Sequence, residues 1–268
     1  MTNYKVVSLN KYDLEHKLQR GSILYFDNIP TYKVTLGEMA DFGFTKAQSI
    51  ISLLSMDDEK AKEYLSNAEQ SSTFLYVVLN ILQEYKALEN GEILSSTDLM
   101  CELVPSFLSL FFKKKVTFDL NYGFVIGEEN KYLLNNDKYD KFRQILKSRN
   151  CLIDIDNMEN IDNPDNDMAK SLLEKRRKLR EKINKLKRIG DDDDDLTMAD
   201  LISIFAEAEH MPLQNVYDLY DIYQFNNQFN RLKIMDDFHV NIQALLAGAK
   251  SDEVNLQHWL SKIKQKEN

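Results

Sequence analysis

Residues 163–195 constrain the fold most, because they divide the chain with a self-contained local signal. Asn163 can cap a helix through its side-chain oxygen, and Pro164 suits the first helical position, where its missing N–H costs nothing. The following MAKSLLEKRRKLREKINKLKRI contains no Gly or Pro, and Leu172, Leu179, Ile183 and Leu186 fall near one face. Ten Lys and Arg against four Asp and Glu between Asn163 and Ile189 make this helix basic. Gly190 suits a left-handed C-cap, and Asp191–Asp195 follow as an acidic run. The plain expectation is a solvated helical spacer and an acidic linker. A short coiled-coil seam, a docking helix and a nucleic-acid arm are the alternatives. Arg176 interrupts the seam, and a net charge of −9 with five adjacent aspartates opposes a phosphate backbone, so no nucleic-acid binding is expected.

On either side there is enough material for a core: 268 residues, 43 % hydrophobic and 29 % charged. The N-terminal MTNYKVVSLN lacks a charged region followed by an apolar core and cleavage site, so no export signal is expected. The most apolar runs, Phe74 to Leu82 and Leu103 to Phe112, are too short to span a bilayer, and no membrane association is expected. Cys101 and Cys151 form no metal or redox spacing, which fits a reducing, cytoplasmic setting. Eight Gly and four Pro argue against a turn-rich β-sandwich.

The expected fold is predominantly α. Residues 1–155 read as an α+β domain with small antiparallel hairpins, 163–190 as the charged linker helix, 191–195 as the acidic linker and 196–268 as an all-α C-terminal module. Ser22 to Thr35 predicts a hairpin turning at Asp27, Asn28 and Pro30. Helices are expected over Leu36 to Leu54 with an interruption near Gly43, over Asp57 to Leu65, and over Ser71 to Leu88. Another, Thr97 to Phe112, carries Pro105 as an expected kink or break. Extended runs at Lys115 to Asp119, Gly123 to Ile126 and Tyr132 to Leu134 precede a helix from Lys138 to Arg149 and an acidic loop, Cys151 to Asp162. In the last module Thr197 and Asp200 have capping-box spacing, and Pro212 opens a short turn of helix. A longer helix is expected from Asp221 to Gly248, with Phe225, Phe229, Leu232, Ile242 and Leu246 on a core side. A final short helix would carry Leu256, Trp259, Leu260 and Ile263.

Catalytic patterns are missing from the sequence: no glycine-rich phosphate loop, His-Glu-x-x-His helix, paired Cys-x-x-Cys or nucleophile elbow occurs. No catalytic residue, cofactor or metal site is therefore expected. His16, His210, His239 and His258 are scattered, and His239 is expected on the apolar face of its helix as a structural histidine. The aspartate run lacks the glycine and terminal glutamate of an EF-hand loop.

Several segments, taken in order, resemble phage tail assembly proteins of phages and prophages of Gram-positive bacteria. They are VTFDLNYGFVIG (116–127), FRQILKSRNC (142–151), NPDNDMAKSLLEK (163–175), ADLISIFA (199–206), DIYQFNNQFNRLK (221–233), NIQALLAGAK (241–250) and LQHWLSKI (256–263). The resemblance implies a non-enzymatic tail assembly chaperone in the host cytoplasm. Its expected partners are the tape measure protein, kept soluble, and tail tube subunits, recruited to it. A structural tail or baseplate protein retained in the virion is the alternative expectation. Candidate partner-binding side chains are Tyr223, Phe225, Phe229 and Trp259 in the aromatic-rich C-terminal module, with Leu179 and Ile183 on the basic helix.

Overall fold

The computed structural model describes residues 11–65, 72–90, 99–128, 131–152 and 196–248. The expected linker helix, the Asp191–Asp195 run and the final short helix lie outside these residues. The expected 151–162 loop is described only at Cys151 and Leu152. Two compact units divide the chain: Met1–Ile153 together with Gln214–Asn268, and Asp154–Leu213. Among the described residues the fold is predominantly α, with one two-stranded and one three-stranded antiparallel sheet.

In the first unit, α1 (Lys11–Gln19) leads into a hairpin of β1 (Leu24–Phe26) and β2 (Ile29–Thr31). Asp27 and Asn28 both have positive φ, 43° and 66°, the requirement of a two-residue turn that matches strand twist. Leu24, Phe26, Ile29 and Thr31 are buried on one side of the hairpin. Helix α2 (Leu36–Phe42) starts with a reciprocal capping box between Thr35 and Glu38, and Gly43 at φ 99° separates it from α3 (Phe44–Leu54). Next come α4 (Asp58–Tyr64), α5 (Thr73–Glu89) and α6 (Met100–Phe112).

Of the kink or break expected at Pro105, the break does not occur: α6 runs on through it. Its apolar face, with Val104, Phe107, Leu108, Phe111 and Phe112, is buried, and Pro105 is buried with it, so packing offsets the one missing backbone donor. Lys113, in left-handed conformation at φ 51°, ends the helix and turns the chain into β3 (Val116–Asp119). Strand β3 pairs with β4 (Gly123–Ile126), which pairs with β5 (Tyr132–Leu134); α7 (Asn136–Arg149) follows.

Aromatic rings fill the space between these elements. Phe142 of α7 lies 5.6 Å from both Phe111 and Phe112 and 5.9 Å from Phe26, centroid to centroid. Each such pair contributes about 0.5–1.5 kcal/mol beyond its area burial. A polar cluster closes one side of this core. Asp58 Oδ1 accepts from Thr73 N (2.9 Å), Thr73 Oγ1 (2.8 Å) and Arg143 Nη1 (2.7 Å), tying the N-termini of α4 and α5 to α7. Arg143 Nη1 also donates to Met56 O at 2.9 Å, and Tyr139 Oη donates to Leu54 O at 2.9 Å.

From Gln214 the chain returns to this unit. After α9 (Leu213–Leu219), helix α10 (Ile222–Leu246) packs against α1 and α7, and Ile222 joins the main apolar core. Leu36 N donates to Tyr220 O at 2.8 Å, and Thr35 forms a single antiparallel bridge with Asp221. The expected core side of α10 holds in part. Phe225 is buried, Phe229, Leu232 and Ile242 are half-buried, and Leu246 is 83 % exposed. A helix of 25 residues is about 37 Å long, so its far end outruns the core at its N-terminus. His239 is exposed rather than on a buried face, because it lies on that distal half.

The second unit is described over residues 196–213. Helix α8 (Met198–Ala208) has the expected Thr197–Asp200 capping box, and Ile202, Phe205 and Ala206 are buried. It ends before Pro212: His210 takes φ 52°, and Met211 N donates to Ala206 O at 2.9 Å, a Schellman closure with histidine in the position glycine usually takes.

Two outcomes are expected. Gly123 has φ 84°, and a Cβ there would lie 2.8 Å from Phe74 Cζ and 3.0 Å from Leu134 O. Gly123→Ala should therefore cost on the order of 2–4 kcal/mol in urea unfolding, combining overpacking with positive-φ strain. Partial burial tends to raise the Asp58 pKa, but the Arg143 and Thr73 hydrogen bonds prevail and hold it below the ordinary 3.8. A carboxylate depressed on folding stabilises above its unfolded value, and that contribution is lost as pH falls through the folded value. Acid titration of the melting temperature should show this loss below pH 3.8, and Asp58→Asn should flatten it.

Candidate functional site

The site with the most unusual chemistry lies where α7 ends and α10 begins. Helix α7 closes as a Schellman motif: Cys151 takes φ 57°, and Leu152 N donates to Lys147 O at 2.9 Å. This closure puts Arg149, the last helical residue, inside the protein at 3 % exposure. Its Nη2 donates to Ser22 O at 2.7 Å, and its Nη1 faces Asp221 Oδ2 at 3.6 Å.

Asp221 has two tasks. Its Oδ1 accepts from Gln224 N at 2.8 Å, while its own N–H donates to Gln224 Oε1 at 3.2 Å, a reciprocal cap on α10. Its other oxygen turns toward Arg149. Gln224 extends the junction by donating from Nε2 to Gln19 O, at the end of α1, at 2.8 Å. Lys33 Nζ donates to Leu219 O, placing a cation at the C-terminal end of α9. The junction thus gathers α1, the strap after β2, α7, α9 and α10.

A small cavity opens beside the pair, lined by Val34, Met39, Ile51, Phe107, Phe111, Asn150 and Ile222 together with Arg149 and Asp221. Burial raises the Asp221 carboxyl pKa against the pull of Gln224 N–H, Arg149 and Lys33. The same burial lowers Arg149 to about 10, Asp221 opposing it. Burial also pushes the neighbouring Cys151 thiol up to about 11. Cys101, on α6, is likewise raised to about 11 by burial and by Glu84, whose carboxylate accepts from Cys101 N at 2.7 Å. Neither thiol has the depressed pKa of a nucleophile. Among the described residues no cluster of three or more His, Cys, Asp or Glu side chains has metal-binding geometry.

The interaction candidates fall in different places. Leu179, Ile183 and Trp259 lie outside the described residues. Tyr223 and Phe225 are buried at the start of α10, so their rings serve as packing groups in this structure. Phe229 is half-buried, stacked on Phe225 with centroids 5.5 Å apart and covered by Lys233 Nζ at 5.3 Å. Sequence reading missed Arg149 and the second task of Asp221. The available signal was the Asp221–Gln224 spacing of a capping box; nothing local marked Arg149 as buried.

Comparison with known proteins adds one link. Residues 189–264 match the family model of the YomV second domain, a domain of a phage- and prophage-associated protein. The chain therefore contains a region similar to a phage-related domain, covering a little over a quarter of its length. No curated protein matches, and no solved structure matches.

Removing one member of the buried pair strands the other charge. Arg149→Met or Asp221→Asn should each cost about 3–5 kcal/mol in chemical unfolding. Arg149→Met combined with Asp221→Leu should cost clearly less than the two single losses summed, because the double change also removes both desolvated charges. A carboxyl raised on folding stabilises below its unfolded value and loses that contribution as pH rises through the folded one. A guanidinium lowered on folding stabilises above its unfolded value and loses that contribution as pH falls through about 10. At neutral pH the Arg149 guanidinium is therefore held charged against burial.

Proposed function

We propose that the chain is a phage tail assembly chaperone of the host bacterial cytoplasm, a binding protein without catalytic activity. The observation that carries this reading is the similarity of residues 189–264 to a domain of a phage- and prophage-associated protein. Four of the segments that resemble tail assembly proteins, 199–206, 221–233, 241–250 and 256–263, fall inside that match. The three nearer the N-terminus lie outside it.

Two features support a binding role. The chain forms two compact units, which suits a division between holding the tape measure protein and presenting it to tail tube subunits. Exposed apolar side chains occur at Leu120 and Tyr122 in the turn between β3 and β4, and at Met235, Val240 and Leu246 on the distal half of α10. Exposed apolar side chains become partner sites where they gather into a contiguous patch.

Co-expression with the long helical protein encoded beside it provides the test. The expected result is that this partner moves from the insoluble to the soluble fraction and co-purifies with the chain, while finished particles lack the chain. A partner that stays insoluble and unbound, with the chain present stoichiometrically in particles, would replace this reading with a structural role in the virion.

A further inference from the structure

We infer that the Arg149–Asp221 junction is a binding site for one internal water molecule, which bridges Arg149 Nη1 and Asp221 Oδ2. This inference is independent of the proposed assembly role. Three observations on the same few atoms carry it.

The first is distance. At 3.6 Å, Nη1 and Oδ2 are attracted as charges but lie too far apart for a direct hydrogen bond. The second is satisfaction: both atoms are fully buried and neither has a hydrogen-bond partner within the protein. A buried charged group without such a partner costs several times what an ordinary hydrogen bond contributes. The third is space. The cavity has a volume of about 10 Å³, the size needed for one water and too small for two.

Water also matches the chemistry. It accepts from the guanidinium and donates to the carboxylate, so one molecule satisfies a donor and an acceptor together. A bare cation would satisfy only Asp221, and an anion only Arg149. Apart from Asn150, whose Nδ2 donates to Leu146 O at 2.8 Å, the side chains that line the cavity beside the pair are apolar, so the two charged groups define the position.

A crystal structure of the full chain, refined with ordered solvent, tests the site. The expected result is a single solvent peak about 2.7–3.2 Å from both Nη1 and Oδ2. A direct Nη1–Oδ2 contact in that range with no peak between them would overturn the inference, as would a peak coordinated like a metal ion. In solution, oxygen-17 relaxation dispersion should count one long-lived water fewer in the Arg149→Met, Asp221→Leu double variant than in the parent. An unchanged count in a folded double variant would also overturn it. If that variant does not fold, the crystal structure of the parent decides alone.

Discussion

Arg149 and Asp221 stand 72 positions apart in sequence and face each other inside the protein, so the fold depends on bringing the end of α7 to the start of α10. An ion pair in that setting is poor glue. Burial pushes both groups toward their neutral forms against their mutual attraction. Its effect is positional. Asp221 caps α10 with one oxygen and meets Arg149 with the other, so sliding α10 by one turn would strand a charge and abandon the cap together. The apolar contacts of Ile222, Tyr223 and Phe225 supply burial energy, and the pair selects the register in which they supply it.

The same constraint explains why the return of the chain was hard to read from sequence. Local signals for the elements were clear. Asp27 and Asn28 marked the first hairpin, Gly43 the break between α2 and α3, Gly123 the start of β4, and Thr197 with Asp200 the start of α8. Each of these acts within a few residues of itself. Pro105 does not break α6, because its effect depends on what surrounds it: packing on the apolar face of α6 holds the helix together across the missing donor. Leu246 and His239 misled for a related reason. Helical periodicity tells which residues share a face of α10, but not how far along the helix the core extends.

Arg149 shows the limit most sharply. In sequence it is one basic residue in the last turn of a helix, where a cation normally sits in solvent near the carbonyl end. Its burial follows from partners far away along the chain: Ser22 on the connection before β1, Thr31 on β2, and Asp221. Such a site is invisible to pattern reading, because its residue types are ordinary and its spacing carries no period. Of the interaction candidates, Tyr223 and Phe225 are buried at the start of α10. Aromatic enrichment near Tyr223 and Phe225 was real, but at the N-terminus of α10 it supplies core packing.

What distinguishes α10 is the contrast between its two ends. Its first turn is fixed by the capping box, the Arg149 contact and the Gln224 bond to α1. Its distal half presents Met235, Val240 and Leu246 to solvent among polar neighbours. A helix of about 37 Å held firmly at one end can carry side chains well beyond the core without destabilising it, because the cost of ordering is met where the helix is packed. The phage-related match at residues 189–264 spans this whole element, both the anchored start and the exposed end. Ile234, Phe238, Ile242 and Leu245 are half-buried, so part of the helix surface stays covered well past its third turn while Met235, Val240 and Leu246 face solvent.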